Sequence, residues 1–397
     1  MEMLPRSESH ERVRRIQEWM QHAPVDAVFV LQSADLYYFA GTVQIGLLCL
    51  PAGGDPVYLV QKSLTRARLE SPLEKLIPLG SFKKVPEILA SEGILAPQRV
   101  GLELDVLPAS FYLRLRELFP STEFIDASDA IRRIRMIKSP YEVQQIRRAA
   151  RMLKPAFQEI PGWLRPGITE LEVMARLEGF LRLQGHQGLT RMRGFNYEIC
   201  YGTISSGPSA SHPTHFPGPV GFEGLYPAIP NGGGPRRLTE GDTVIADIVG
   251  GYGGYIADKT RTYAVGKIAR EMEEAHAFVL ELMAEVKSML KPGTSCEHFY
   301  QCASERVKKS PYAAGFMGSG DSQVRFLGHG VGLELDELPV LASGFDIPLE
   351  AGMTIAIEPK IFFAGRGGVG IENTYLITET GHENLTDFPE EIIPAGK

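Results

Sequence analysis

The chain has 397 residues, 44% of them hydrophobic, and a formal net charge of −7. This length and apolar content are enough to bury a large core in more than one domain, so a disordered chain is excluded. The acidic balance argues against nucleic acid or an anionic membrane as the main partner, because both select a basic surface. A small or uncharged substrate is expected instead.

Targeting signals and disulfides are not indicated. No apolar stretch reaches the roughly 20 residues of a membrane span, and the N-terminal segment lacks the apolar core of a signal peptide. The four cysteines have none of the paired spacings of a zinc ribbon or a redox motif, so reduced thiols are expected. They are Cys49, Cys200, Cys296 and Cys302. We therefore expect a cytoplasmic protein with neither a nucleic-acid nor a membrane partner.

The first part of the chain alternates short apolar strands with helical segments, which is typical of an α/β domain. Strands are predicted at 27–31, 47–50, 57–61 and 100–104, and helices at 11–22 and 108–118. The sequence then becomes basic and reaches Ser139 and Pro140, which predict an N-cap and a first helical residue for a helix over 142–154. We place one domain at 1–133 and a second at 140–397.

The second domain contains a repeated loop-to-helix junction. Segments 164–170 and 290–295 are near copies, and each has a threonine three residues before a glutamate, the pattern of a capping box. The pairs are Thr169 with Glu172 and Thr294 with Glu297. Such junctions are common, so the repeat alone leaves common ancestry open. Because each copy is followed by a similar acidic hairpin, we predict a duplicated α/β unit with pseudo-twofold symmetry.

Two acidic pairs lie within apolar strands that are predicted to form hairpins. They are Asp247 with Asp258 and Glu358 with Glu372. Folding about the glycine-rich turns at 250–254 and 364–368 is expected to set the two members of each pair opposite each other. Opposed carboxylates repel, and buried charges normally have a counter-ion or coordinate metal. With His329, the pairs predict a metal site.

The ligand set indicates the ions and the reaction. Four carboxylates balance two dications, and two ions about 3.5–4 Å apart can activate water and polarise a carbonyl. Oxygen ligands with one imidazole favour manganese, with cobalt, iron or zinc left open. Glu358 is the candidate proton acceptor. The alternative is a set of solvated hairpin acids with a loop histidine, but it does not explain why the acids lie in apolar strands.

Nearly the whole sequence resembles the pita-bread metallopeptidases, a family that includes aminopeptidase P, prolidase, methionine aminopeptidase and the non-peptidase creatinase. The motifs that carry the resemblance lie at 245–247, 257–262, 328–334, 357–359 and 370–374, with a linker-like segment at 135–142. The resemblance implies a creatinase/prolidase-like N-terminal α/β domain, a C-terminal pita-bread domain and a homodimer. It also implies a dinuclear centre with Asp258 and Glu372 bridging both ions, and hydrolysis of peptide bonds next to proline.

Residues expected to face the substrate depart from the family pattern. Asp336, seven positions after the ligand histidine, stands where the peptidases have a second histidine. An ionised carboxylate can only accept hydrogen bonds, so Asp336 is expected to shape specificity without binding metal. Gly370 stands where an arginine is common, with Arg366 nearby. His212 and His215 are both candidates for a further pocket histidine, although neither aligns without a gap.

Three functions are therefore compatible with the sequence. The first is an Xaa-Pro aminopeptidase or dipeptidase. The second is a metal enzyme of the same fold that acts on a small non-peptide substrate, as a creatinase-like enzyme or a lyase. The third is a catalytically silent binding module. Retention of all five ligands favours the first and argues most strongly against the third.

Overall fold

The computed structural model describes residues 2–395, which form two compact units that divide between residues 135 and 136. Among these residues, no helix combines the length and apolar character that a membrane span requires.

The first unit contains a mixed β-sheet and its helices. Its elements are α1 (Arg6–His22), β1 (Ala27–Val30), α2 (Ser33–Ala40), β2 (Gly46–Pro51), β3 (Val57–Val60), α3 (Leu64–Glu70), β4 (Lys75–Pro78), α4 (Val85–Ser91), β5 (Arg99–Leu102), α5 (Ala109–Leu118), β6 (Glu123–Asp126) and α6 (Ser128–Met136). The strand order is β4-β3-β2-β1-β5-β6. Fully buried side chains such as Phe29, Leu59 and Leu102 form its core. The predicted α/β alternation is confirmed.

The second unit is larger and carries two sheets and a short ribbon. Its elements are α7 (Pro140–Trp163), α8 (Glu170–Leu183), β7 (Gly202–Ser206), β8 (Thr243–Tyr252), β9 (Tyr255–Val265), α9 (Arg270–Met289), α10 (Cys296–Lys308), β10 (Phe326–Gly330), β11 (Glu337–Ala342), β12 (Thr354–Ile357), β13 (Lys360–Phe363), β14 (Gly367–Gly370), β15 (Asn373–Ile377), β16 (His382–Asn384) and β17 (Ile393–Ala395). The strand orders are β17-β9-β8-β7 and β11-β10-β12-β15-β16, and β13 pairs with β14.

Helix starts in the second unit match the sequence in two of three places. Ser139 caps α7 through a reciprocal bond pair with Glu142, and Thr169 caps α8 in the same way. The capping box predicted at Thr294 is wrong: Ser295 precedes the first residue of α10, and the Thr294 hydroxyl donates to the carbonyl of Met289. The turn before α10 is one residue longer than the pattern requires.

The register of the first acidic hairpin differs from the prediction. The chain reverses at Gly253 and Gly254, so Asp247 pairs with Thr260, and Asp258 pairs with Val249. Both glycines have a positive φ, which favours a two-residue turn over the five-residue loop expected from composition. The two aspartates are therefore diagonal neighbours on one face of the hairpin. They are not directly opposite each other.

The second acidic hairpin has the predicted register. Ile357 pairs with Asn373 on one side of the acids, and Lys360 pairs with Gly370 on the other. Glu358 and Glu372 lie opposite each other between these two ladders. The prediction for this pair is confirmed.

Candidate metal centre

The five predicted ligands converge on one cavity of the second unit. Asp247 lies on β8, Asp258 on β9 and His329 on β10, while Glu358 follows β12 and Glu372 precedes β15. All five line the same cavity. The last four are buried, and the Asp247 side chain is 19% exposed. Their ligation of metal, predicted from the sequence, has geometric support in this convergence.

The ligand atoms form two overlapping groups, each within 4.8 Å. Asp258, His329 and Glu372 make the first group, which we call the histidine subsite. Asp247, Glu358 and Glu372 make the second, which we call the carboxylate subsite. Glu372 belongs to both, as expected of a bridging carboxylate, whereas Asp258, the other predicted bridging ligand, belongs to the histidine subsite alone.

Glu358 and Glu372 each direct one oxygen to each side of the centre. The Oε1 atoms lie 3.7 Å (Glu358) and 3.9 Å (Glu372) from His329 Nε2. The Oε2 atoms face the opposite way, where Glu372 Oε2 accepts from the Thr260 hydroxyl at 2.8 Å. The other nitrogen of His329, Nδ1, is 3.1 Å from the carbonyl oxygen of Gly330. This contact orients the ring so that Nε2 points at the acids.

A lysine that the sequence analysis overlooked occupies the carboxylate subsite. The Lys360 side chain is fully buried, and its Nζ lies 3.3 Å from Asp247 Oδ2 and 3.1 Å from Glu372 Oε2. Nζ also donates to Glu358 Oε2 in a short contact. One ammonium thus contacts every member of the carboxylate subsite.

Gly370 gives this lysine its space. It is the partner of Lys360 across the β13–β14 ribbon. A Cβ at position 370 would lie 2.4 Å from Lys360 Cγ and 2.8 Å from Lys360 Cβ. Any residue other than glycine would therefore push the lysine out of its present position.

Burial and mutual repulsion dominate the electrostatics of the acids. Burial raises the pKa of Asp247 to about 6, with Lys360 opposing and Glu372 adding to the increase. Burial also raises the pKa of Asp258 well above its ordinary value, helped by the charges of Glu372 and Asp247. For Lys360, burial disfavours the charged form, but the three surrounding carboxylates outweigh it and hold its pKa well above the ordinary value.

The histidine subsite fits a divalent cation. Glu372 Oε1 is buried and has no hydrogen-bond donor among residues 2–395, a costly state for a carboxylate oxygen unless a cation satisfies it. Asp258 and His329 supply an oxygen and an imidazole nitrogen beside it, a donor set that suits manganese, iron, cobalt or zinc.

Of the predicted substrate-facing residues, Asp336 lies on the cavity wall. Its Oδ1 is 3.4 Å from His329 Nδ1, and its side chain is 38% exposed. His212 and His215 are exposed and do not line the cavity, whereas the next residue, Phe216, does. Their catalytic role stays a prediction. Arg366 is paired with Glu271 on the surface and does not replace the arginine missing at position 370.

The rest of the cavity wall is mostly apolar. Its apolar members include Ile199, Phe216, Pro217, Val220, Phe222, Val249, Phe326 and Leu335. An apolar wall beside a polar metal centre suits a substrate with a compact hydrophobic ring next to the bond that reacts.

Besides Lys360, two further residues fix the centre and were not predicted from the sequence: Arg261 and Thr260. The buried Arg261 donates to the carbonyl of Glu372 at 2.8 Å and to Asn373 Oδ1 at 2.7 Å, so it holds the strand that carries the bridging glutamate. Thr260 bonds the glutamate directly. Strand periodicity could have found Lys360 and Thr260, since each lies two residues after a predicted ligand and shares its face.

Two family models match most of the chain. Residues 144–379 match the model for metallopeptidase family M24, and residues 12–137 match that for the creatinase/prolidase N-terminal domain. The chain is 29% identical to the Xaa-Pro dipeptidase of Pyrococcus furiosus, over 96% of this chain and 99% of that protein. It is 30% identical to the probable dipeptidase PepE of Mycobacterium tuberculosis H37Rv, over 90% and 89%.

Solved structures show the same architecture. The prolidase from Pyrococcus horikoshii OT3 superimposes with a TM-score of 0.81 at 27% identity, covering 96% of this chain and all of that one. The Xaa-Pro dipeptidase from Bacillus anthracis gives a TM-score of 0.83 at 26% identity, covering 97% and 99%. The likeness extends over both units.

Proposed function

Because the chain belongs to metallopeptidase family M24, we propose that it is a metal-dependent hydrolase of the peptide bond before proline, of the Xaa-Pro dipeptidase or aminopeptidase type. The fold is the mixed α/β arrangement of that family, with a creatinase-type N-terminal domain and a pita-bread domain. The observation that carries the proposal is the histidine subsite, where the buried Glu372 Oε1 lies beside Asp258 and His329 and lacks a donor within the part of the chain that the structure describes.

The residues around this subsite have separable roles in hydrolysis. Asp258, His329 and Glu372 would hold a divalent cation, which would supply Lewis acidity toward a carbonyl and toward water. Glu358 accepts the proton of the attacking water, because its Oε1 faces His329 while its Oε2 is held by Lys360. The apolar wall around Phe216 receives the proline ring.

Asp336 restricts the substrates that fit. Its partly exposed carboxylate lies beside His329 on the cavity wall. It would repel a substrate carboxylate and attract a substrate amine. We therefore expect weak cleavage of dipeptides whose free C-terminus lies at the metal, and better cleavage where that end is amidated or further away.

The proposal also includes the identity of the ion, the location of the protein and its assembly. Manganese as the native ion follows from the oxygen-rich donor set. A cytoplasmic location follows from the free cysteines, of which Cys49 and Cys296 are buried. A homodimer follows from the family resemblance. The division into domains at 1–133 and 140–397 also stays a proposal.

Relatives named as dipeptidases disfavour the non-peptide alternative, and a direct assay tests the choice. Chelated protein is reloaded with Mn²⁺, Co²⁺, Fe²⁺ or Zn²⁺ and incubated with Xaa-Pro dipeptides, Xaa-Pro-Xaa peptides and matched Xaa-Ala peptides. We expect metal-dependent cleavage of the proline peptides, and its loss in Glu358→Gln. If folded, metal-loaded protein cleaves none of the proline peptides, the peptidase proposal is wrong.

A further inference from the structure

We infer that the centre holds a single divalent ion, in the histidine subsite, and that the ammonium of Lys360 is the resident cation of the carboxylate subsite. The inference rests on the proposed function only in taking the cavity to be a metal centre. It revises the two-ion centre predicted from the sequence.

Lys360 contacts the oxygens that a second ion would need. A second ion would need Asp247 and the Oε2 atoms of Glu358 and Glu372, since both Oε1 atoms point toward His329. Those three oxygens are the ones that Nζ contacts. An ion bound among them would displace the ammonium or meet it at contact distance, and two cations repel strongly in a buried site.

Lys360 pairs with no acid of the described residues outside the carboxylate subsite. Within residues 2–395, its ion pairs are with the members of the carboxylate subsite alone. Its side chain is fully buried, so moving aside for an ion would bury an ammonium without a counter-charge. Such a state is much costlier than the present one.

The neighbouring strand, β14, has a glycine opposite Lys360. Gly370 is the position where a Cβ would collide with Lys360 Cγ. The lysine and the glycine face each other in one register pair, so the space on β14 matches the side chain on β13. A cavity kept for a second ion would not require this match.

The arrangement also changes what the carboxylate subsite does. A metal there would be a second Lewis acid, whereas an ammonium donates hydrogen bonds and carries one charge. Lys360 is thus a positioning residue: it holds Glu358 Oε2 and leaves Oε1 directed toward His329.

Metal stoichiometry tests the inference. Chelated protein is reloaded with excess Mn²⁺, freed of unbound ion by gel filtration and analysed by mass spectrometry for manganese per chain. We expect one ion in the wild type and two in Lys360→Gly, which removes the ammonium. Lys259→Met is the matched control, because Lys259 is also buried but its ammonium lies over Phe157 and Phe388, away from the acids. It should keep one ion.

Electron paramagnetic resonance gives a second readout on the same samples. The wild type should show the signal of an isolated Mn²⁺, and Lys360→Gly the signal of an exchange-coupled pair. Wild type with two ions or none, or a folded Lys360→Gly that stays at one, overturns the inference.

Ligand variants decide the matter if Lys360→Gly does not fold. Asp258→Asn should lower the manganese content sharply, and Asp247→Asn should leave it at one. Equal loss in both variants would overturn the inference. Peptide cleavage by the same wild-type samples separates the two proposals. Cleavage by protein that holds two ions per chain would contradict only this inference. One ion per chain without cleavage would contradict only the proposed function.

Discussion

Replacing Lys360 with methionine is expected to destabilise the metal-free protein strongly. The substitution keeps most of the side-chain volume and removes the charge that Asp247, Glu358 and Glu372 share. Removing one partner of a buried ion pair costs about 3–5 kcal/mol, because the remaining charge is left uncompensated. At about 2–4 °C per kcal/mol for a domain of this size, the melting temperature should fall by about 6–20 °C.

The loss should depend on pH. Burial raises the pKa of Asp247 to about 6 in the folded protein, above the unfolded value of about 4. A carboxyl group with a raised folded pKa destabilises the fold above that pKa, and the cost disappears as the pH falls toward the unfolded value. Without Lys360 the pKa of Asp247 rises further, so the gap in melting temperature between variant and wild type should widen as the pH rises above about 6 and should close as the pH falls to about 6, where Asp247 is protonated in the folded wild type as well.

The assay is thermal melting in the presence of chelator, monitored by circular dichroism, at pH values below and above about 6. Lys259→Met again serves as the control, since burial already lowers the pKa of Lys259 to about 6 and its removal leaves no carboxylate of the centre unpaired. Because the lowered pKa makes the charge of Lys259 a cost to the fold, Lys259→Met should not lower the melting temperature in the way that Lys360→Met does. If Lys360→Met melts with the wild type at pH 8 in chelator, the ammonium does not balance the acids and the electrostatic reasoning fails.

Three further predictions concern the ion, the pocket and the ribbon. Metal at a hundredfold excess over its dissociation constant should stabilise the wild type by about 2.7 kcal/mol, and identical melting with and without chelator would contradict a clustered centre. Asp336→His should increase cleavage of free Xaa-Pro dipeptides without changing metal content; loss of metal in Asp336→Ala would show instead that the carboxylate supports the ion. Gly370→Ala should lower the free energy of unfolding by about 1–3 kcal/mol through overpacking, because its Cβ would lie 2.4 Å from Lys360 Cγ. In denaturant melts, combining it with Lys360→Gly should recover most of that loss. Strictly additive effects of the two substitutions would argue against the contact.

The sequence was sufficient to predict which residues converge on the centre. Acids inside apolar strands are rare enough to point to a shared cation, and the turn near Gly365 gave the correct register for Glu358 and Glu372. The register of the other hairpin was wrong because composition marks a glycine-rich loop but does not say which two glycines form the turn. Gly253 and Gly254 do, and this shifts the strands by two residues relative to the prediction.

Contacts between distant segments and residues on loops were harder to predict. Arg261 is part of an aspartate motif, yet its bonds to Glu372 and Asn373 join two strands that are distant in sequence. His212 and His215 were chosen by alignment to a loop, and loops tolerate shifts that strands do not. The structure places Phe216 at the wall instead. Periodicity determines which face of a strand a side chain occupies, whereas the position of a side chain on a loop depends on the tertiary fold.

Gly370 and Lys360 act together, as their register shows. Considered alone, Gly370 stands where an arginine is common in the family that the sequence resembles, and Lys360 is an ordinary lysine. Paired across the β13–β14 ribbon, they place one positive charge on the opposite strand and clear the space it needs. The charge then reaches all three carboxylates that a second ion would use. Because a strand alternates its faces, a lysine at 359 or 361 would point away from the acids. The five candidate ligands thus lie in one cavity, and one lysine in this register decides which cation the carboxylate subsite is built to hold.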